Sequence, residues 1–567
     1  MTILTLNKAQ LEAKIGKLDD NLKMKIDMFG TPIDDETDNE ISIEIFPNRP
    51  DLISFQGFTR AFLNFLEKTK IKTYNTEKPE KDYNVIIDKS VKDVRPFTTC
   101  AIIKGLSLNT EKINELIDIQ EKLHGSYGRN RKKLAIGIYP LEAIKLPITF
   151  LAKKPEDIKF QPLEFPRAIN GRQILSQHPT GREYGDLLKG AEVFPIFQDA
   201  NNEILSMPPI INSEKTGKIS NNTKDVFIEC SGFNKYYLQK TLNIIVTALA
   251  DLGGKIYEIE IQDKAEKTKE TSPNLKPEKL EFSIENLNQT LGLELTEKEI
   301  KTYLEKMGIG YEINSFKKGL TQNNAIALIP AYRTDILHEV DLSEEVAIAY
   351  GYNNFIPEIP AISTIGEENP LSILKRKISE ILIGLNLLEI STFHLSTKET
   401  QFKKINIKDF NKNNLMIELE DSKTENNILR TSLLANSIKV LSENSNASYP
   451  QKIFELGKVF ANTNSEDNEK ENTDTGITEK ENLCISLCHE KANFTELKQI
   501  LDYLTRMLNL TYKIQETSNP SFIEGRAGTI IINNKEVGTI GEINITVLKN
   551  NKIKMPTASL EISLDNL

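Results

Sequence analysis

Residues 332–352 read YRTDILHEVDLSEEVAIAYGY, and four of the five carboxylates in them stand out: Asp335, Asp341, Glu344 and Glu345. A helix starting at Asp341 would place Asp341, Glu344 and Glu345, spaced i, i+3 and i+4, on one face of its first turn. VAIAY continues that helix, and Gly351 is placed to stop it. Asp335 would join from the preceding loop. Oxygen donors gathered around one point suit a hard cation such as Mg2+. The same residues also serve a plainer purpose. Asp341 is a good N-cap, Glu344 three residues on completes a capping box, and acids in a first turn complement the helix dipole. The spacing leaves both readings open.

A chain of 567 residues predicts three to five domains. Its 39 % hydrophobic and 27 % charged content is that of a soluble globular protein. No apolar run approaches the roughly 18 residues of a membrane helix, so no membrane role is expected. The start, MTILTLNKAQLEAKI, lacks the basic region and long apolar core of a signal peptide and predicts a strand and then a helix. Cys100, Cys230, Cys484 and Cys488 form no paired framework and point to a reducing cytoplasm. Cys484, Cys488 and His489 lack a second ligand pair, so LCISLCHE reads as a strand with cysteines in its core rather than a zinc site. The net charge of -10 means that any contact with RNA must run through local basic patches or a partner subunit.

Residues 1–84 form a first domain marked by EIFPNRPDLISFQGFTRAFLNFL. Pro47 and Pro50 fix a turn, and Asp51 is the expected cap of a helix to about Leu66 with an apolar stripe of Leu52, Phe55, Phe58, Thr59 and Phe62. Arg49 would form a salt bridge or reach a phosphate. Residues 74–82 read as a linker.

Residues 85–270 form a second domain with strands at NVIID, TTCAIIKGL and LAIGIYP and a helix at EKINELIDIQEKLHG. Its basic run, Arg129, Arg131, Lys132 and Lys133, could hold an RNA backbone or form a solvated loop. The stretch around Asn212, Ser213, Asn222, Thr223 and Asp225, then Glu229, Cys230 and Ser231, could line a pocket for a polar small molecule or simply build turns. Residues 266–274 read as a linker.

Residues 271–355 form a third domain with two short helices, a turn at Gly292 and a strand, a winged-helix-like pattern. Residues 360–567 form the last, alternating helix and strand, with 462–481 as a polar surface insertion and Asn533-Asn534 as a hairpin turn. MIELED reads as a strand, and ASLEISLDN as an edge strand.

IPAYRTDILHEVDLSEEVAIAYGYNNF, PNRPD with its helix, QEKLHGSYGRNRKKLAIGIYPLEAIK, MPPIINSE, ILRTSLL, IFELGKVF, GRAG and VGTIGEIN stand in the order of the phenylalanyl-tRNA synthetase β subunit family. The chain resembles its archaeal and eukaryotic type. The resemblance implies an α+β multidomain fold: an N-terminal α/β module, an editing domain, a winged-helix-like metal-carrying domain and a class II synthetase-like antiparallel-sheet domain. It implies Mg2+ on Asp335, Asp341, Glu344 and Glu345. It also implies an editing pocket that hydrolyses Tyr-tRNA(Phe), with Glu229 accepting the tyrosine hydroxyl and Ser213 or Ser231 orienting the ester or a water. A pocket for phenylalanine gains little selectivity against an analogue with one extra hydroxyl, so a second site must remove it.

The last domain lacks working adenylation motifs. Arg430 in ILRTSLL has no acid beside it in sequence, and Arg526 in EGRAG is not followed by a second glycine-rich arginine motif. The resemblance therefore places charging, with its ATP and L-phenylalanine, on an α subunit and implies an (αβ)2 tetramer that binds tRNA(Phe). The chain also lacks the oligonucleotide-binding insertion and the C-terminal anticodon-binding module of bacterial β subunits. The alternatives are a structural subunit without editing activity and a free-standing nucleic-acid-binding protein built from synthetase-like domains.

Overall fold

The computed structural model describes residues 2–80, 83–313, 324–408, 416–420, 422–462 and 475–565. They fall into two compact units, Met1–Ile359 and Pro360–Leu567.

The first unit opens as expected, with strand Thr2–Asn7 and helix Lys8–Ile15, capped where the Asn7 side chain accepts the Gln10 N–H. Its three-stranded sheet, in the order Thr2–Asn7, Glu40–Ile45, Ile33–Glu36, is antiparallel, so the expected α/β module is α+β. The helix after PNRPD starts later than expected. Pro50–Leu52 make a 3-10 turn, and Ser54, not Asp51, caps Phe55–Phe65 by accepting the Gly57 N–H. Asp51 is buried and takes two hydrogen bonds of 2.9 Å from Arg49, the salt bridge foreseen as one option. The apolar stripe is real: Phe58 and Phe62 are fully buried and stack at 5.5 Å.

Two sheets build the next region. One is four-stranded and antiparallel, in the order Lys255–Tyr257, Phe97–Lys104, Val226–Gly232, Leu134–Pro140. The other is seven-stranded and mixed, with Asn84–Ile87 parallel to both of its neighbours. Val226, Ile228 and Cys230 join the core under helix Lys235–Asp251, while Phe227 joins a core shared with the seven-stranded sheet. Side chains alternate along a strand, so Glu229 shares the face of Phe227. Neither expected linker is free. Tyr74 donates to Asp251 and Glu77 bridges to Tyr257, while Thr268–Ser272 is an edge strand paired with Ile259–Asp263. Residues 81 and 82 of the first of these linkers lie outside the described residues.

The segment after Ser272 has a three-stranded antiparallel sheet, ordered Glu278–Ser283, Asn324–Ile329, Gly310–Ile313, with helices Ile284–Leu291, Glu297–Lys306 and Glu339–Tyr350. Gly292 ends the first helix with φ 65°, a left-handed value that suits glycine. The third helix starts two residues before the expected point. His338 is its N-cap, and Asp341 is the third helical residue, closing a capping box back onto His338. Gly351 stops it as foreseen.

The second unit carries a seven-stranded sheet in the order Leu388–Glu389, Gln451–Asn462, Ile477–Cys488, Thr557–Ser563, Lys535–Ile543, Phe522–Ile532, Tyr512–Glu516. Only the first pair is parallel. Asn533 and Asn534 turn the hairpin with φ 52° and 62°, as a tight two-residue turn requires. Thr557–Ser563 is an interior strand, not an edge, and most of it is buried. Of MIELED, residues 416–420 are described and make only an isolated bridge, Glu418 to Ile428, while residue 421 lies outside the described residues. Most of the expected insertion, 463–474, lies outside the described residues, but its last residues start strand Ile477–Cys488. Cys484 and Cys488 are buried in that strand, as expected, and all four cysteines are free thiols.

Candidate functional site

A cavity of about 390 Å³ opens beside strand Leu134–Pro140 in the first unit. That is room for a side chain the size of a phenol ring or somewhat more. Glu229, Asn212, Ser206, His124, Gln120 and Arg131 are among its polar lining, with Glu121, Glu164 and Lys218. Glu229 is buried at 1 % exposure. The Tyr139 hydroxyl lies 3.2 Å from Glu229 Oε1, 2.8 Å from Ser206 Oγ and 3.4 Å from Asn212 Oδ1. Glu229 Oε2 is buried and has no hydrogen-bond partner. Such an atom costs free energy until a ligand donates to it. Burial pushes the Glu229 carboxyl up to about 8, against the opposing pull of the Arg95 charge.

Only one of the three expected residues lines this cavity. Ser231 shares the strand face of Glu229, but its hydroxyl accepts from Arg95 Nε at 3.0 Å. Ser213 is buried beside Asn212, and its backbone N–H is spent on Leu205 O at 2.8 Å. Tyr139 and His124 also belong to the site, and both stand in QEKLHGSYGRNRKKLAIGIYPLEAIK, where nothing local marks them as pocket residues. His124 Nε2 accepts the Ile136 N–H at 2.8 Å, so Nδ1 carries the proton and faces Glu121 Oε1 at 3.2 Å. Burial holds its pKa down, and the imidazole is neutral. The basic run divides. Arg131 turns inward to Pro209 O, Ile210 O and Glu121, while Arg129 and Lys132 are exposed.

A second cavity, of about 680 Å³, is lined by Asp335, Asp341, Glu344 and Glu345 together with Arg49. Their side chains do different work. Arg333, 2 % exposed, forks onto both oxygens of Asp335 at 2.8 and 2.7 Å and reaches Glu345 Oε1 at 2.9 Å. Burial would raise Asp335, yet the Arg333 charge draws it below the usual carboxylate range. Burial raises Glu345. Asp341 Oδ2 accepts the N–H groups of Leu337 and His338 at 2.8 and 2.7 Å. Glu344 is exposed, and Glu345 Oε2 is buried without a partner. Among the described residues no three acidic, histidine or cysteine side chains are gathered tightly enough to hold a metal ion. The carboxylate oxygens of this lining, Glu345 Oε2 without a partner among them, are donors of the kind a hard cation takes.

Three family models match. One, "Phenylalanyl tRNA synthetase beta chain CLM domain", covers residues 356–564; "tRNA synthetase B5 domain" covers 280–352; "B3/4 domain" covers 104–246. The phenylalanine–tRNA ligase β subunit of Archaeoglobus fulgidus is 35 % identical over 567 residues, 100 % of this chain and 98 % of that one. That of Pyrococcus furiosus is 38 % identical over 522 residues, 92 % and 90 % of the two chains. The chain belongs to the phenylalanine–tRNA ligase β subunit family. A crystal structure of an N-terminal fragment of the Pyrococcus horikoshii phenylalanyl-tRNA synthetase β subunit is also similar: TM-score 0.57, 34 % identity, covering 62 % of this chain and 99 % of that one. The chain is thus an aminoacyl-tRNA synthetase subunit of mixed multidomain architecture.

In this family member Arg430 is not solitary, as its sequence neighbours implied. It pairs with Glu455 Oε1 at 2.7 Å and donates to Lys458 O and Thr392 O, with 1 % exposure. Arg526 is exposed and pairs with Glu542. A β-subunit strand detail also carries a prediction. Gly137 faces Glu229 across the sheet, and a Cβ there would lie 2.1 Å from Tyr139 Oη and 2.6 Å from Glu229 Oε1. Gly137→Ala should therefore break the Tyr139–Glu229 contact and cost roughly 1–3 kcal/mol, read by chemical denaturation.

Proposed function

We propose that this chain is the β subunit of a ligase that attaches L-phenylalanine to tRNA(Phe) using ATP. A separate α subunit adenylates phenylalanine and transfers it. This chain scaffolds that site, helps to hold tRNA and hydrolyses Tyr-tRNA(Phe) in the Glu229 cavity. The assembly this implies is a cytoplasmic (αβ)2 heterotetramer. The observation that carries the reading is the match to an archaeal β subunit, 35 % identical over 100 % of this chain and 98 % of that one.

The cavity supports the hydrolytic part. Glu229 Oε2 lacks a donor, and a tyrosine hydroxyl is one. A site that hydrogen-bonds a substrate hydroxyl rejects the analogue lacking it far better than an apolar pocket can. Asp341, Glu344 and Glu345 are the residues that would hold Mg2+, with Asp335 turned to Arg333. The ion would supply a positive charge that offsets their mutual repulsion and partners Glu345 Oε2.

The test is to co-express the chain with the α subunit of its own source and purify the complex. Charging with phenylalanine is measured first, then loss of the ester from Tyr-tRNA(Phe). Charging together with ester loss is expected. Charging without ester loss leaves a structural subunit. A complex that does not charge tRNA(Phe) overturns the proposal.

A further inference from the structure

A further cavity of the first unit, about 780 Å³, belongs to neither of these sites. It is lined by helix Phe55–Phe65, the start of helix Thr110–Gly125, the end of Lys8–Ile15 and residues 69–72. Its floor is apolar, from Ala13, Phe55, Leu63 and Leu252. Two residues of its lining, one helical turn apart, each carry a buried polar atom without a hydrogen-bond partner. Gln56 is 7 % exposed; its Nε2 donates to Glu115 Oε2 at 2.8 Å, which fixes the amide orientation and leaves Oε1 buried with no donor. Arg60 has a side chain 8 % exposed. NH1 bonds Asp251 Oδ2 at 2.8 Å and the Tyr74 hydroxyl at 2.9 Å, while Nε is buried with no acceptor. Residues i and i+4 lie on one helix face, so the residue with the empty acceptor and the residue with the empty donor are neighbours along the helix side that lines the cavity.

The rim is basic. Lys14 and Lys70 are exposed and make no ion pair among the described residues, and Lys112 bonds only the Ser107 carbonyl, at 2.8 Å. Five cations line the cavity, Lys14, Lys70, Lys72, Lys112 and Arg60, against three acids, Glu111, Glu115 and Asp251. In a chain of net charge -10 this is a local reversal. Asp251 is already consumed by Arg60, Lys72 and Tyr74.

We propose that this cavity binds a nucleoside 5′-phosphate whose base presents an amino donor beside a ring-nitrogen acceptor, as adenine and cytosine do. The amino group meets Gln56 Oε1, the ring nitrogen meets Arg60 Nε, the flat ring lies against Phe55 and Leu63, and the phosphate meets Lys14, Lys70 and Lys112. Adenine displays that donor–acceptor pair on its edge, and a glutamine amide is a common reader of it. Uracil does not, because its N3–H lies between two carbonyl oxygens. The nucleotide could be free or part of an RNA strand; the chemistry is the same.

The test uses the complex with the α subunit and 8-azidoadenosine 5′-monophosphate. Irradiation should label peptides of this chain within residues 10–14, 55–72 or 111–115, resolved by mass from α-subunit peptides. AMP and CMP should protect, and UMP should protect at least about tenfold less well, the worth of one buried hydrogen-bond pair. Lys14→Glu and Lys70→Glu change only exposed side chains and should each weaken labelling; Gln56→Leu should weaken it about tenfold or more. Protection by AMP identifies a free nucleotide. Protection by tRNA at lower concentration than AMP identifies an RNA nucleotide. Labelling confined to the α subunit, or labelling of this chain unchanged by all three substitutions, overturns the proposal.

Discussion

Arg333→Ala is expected to destabilise the first unit by about 3–5 kcal/mol, the usual cost of leaving buried carboxylates without their cation. Arg333 holds Asp335 through a two-pronged contact and Glu345 through its NH2, and NH1 donates to Met307 O at 3.2 Å. All of these partners are buried or nearly so, so water cannot replace the guanidinium. Arg49 lies 3.9 Å from Asp335 and is itself taken by Asp51. It offers little rescue. Arg333→Lys keeps the charge but not the planar fork, and should fall between wild type and alanine. The measurement is the urea midpoint of the purified complex, followed by a probe in residues 1–359.

The same variant tests the proposed Mg2+. With the guanidinium gone, the lining of that cavity is four acids against Arg49. A divalent cation should then bind more favourably than in wild type and recover part of the lost midpoint. Millimolar MgCl2 should raise the Arg333→Ala midpoint more than the wild-type one. An equal small shift in both would remove Mg2+ from this cavity, leaving Asp341 as a helix cap and Glu344 as a solvated side chain.

What the sequence made legible follows the physics of each signal. The Asn533-Asn534 turn was readable because a two-residue hairpin needs positive φ and asparagine tolerates it. The end of the helix at Gly351 was readable for a similar local reason. Its start was not. Asp341 satisfies the rule for an N-cap and equally for the third helical residue, and His338, which can also accept a backbone N–H, settles the frame. Long-range pairing was invisible. Arg333 in YRTD passed as an ordinary residue, and the acid that meets Arg430 stands 25 positions away at Glu455. Thr557–Ser563 read as an edge because it ends the chain, whereas the pairing partners that make it interior are Ile477–Cys488 and Lys535–Ile543. In the Glu229 cavity the acid was legible as a charge inside VFIECSG, a strand buried on both faces. Tyr139 and Arg95 were not, because their roles depend on which strands become neighbours.

Glu229 itself carries the sharpest expectation. Burial holds its carboxyl near 8 in the folded chain, against 4.5 for an ordinary glutamate. Below pH 4.5 the group is protonated whether the chain is folded or not, and it contributes no pH dependence. Between 4.5 and about 8 the unfolded chain releases the proton and the folded chain keeps it, so stability falls as pH rises. Above that window the full cost of the buried charge remains, on the order of 5 kcal/mol. Glu229→Gln cannot ionise. It should match wild type near pH 5 and exceed it by a few kcal/mol at pH 9 in paired denaturation curves. The same carboxyl should matter for the ester. A protonated Glu229 at neutral pH can both accept from and donate to a tyrosine hydroxyl, and alanine can do neither. Glu229→Ala should slow hydrolysis of Tyr-tRNA(Phe) by about 100-fold or more while leaving phenylalanine charging by the complex intact. Glu229→Gln keeps one acceptor oxygen and should lose less. Wild-type hydrolysis should bend near pH 8, and the glutamine variant should not. Unchanged hydrolysis in Glu229→Ala would move the reaction out of this cavity, and the pH-dependent stability would then stand as the lone consequence of a carboxyl buried there.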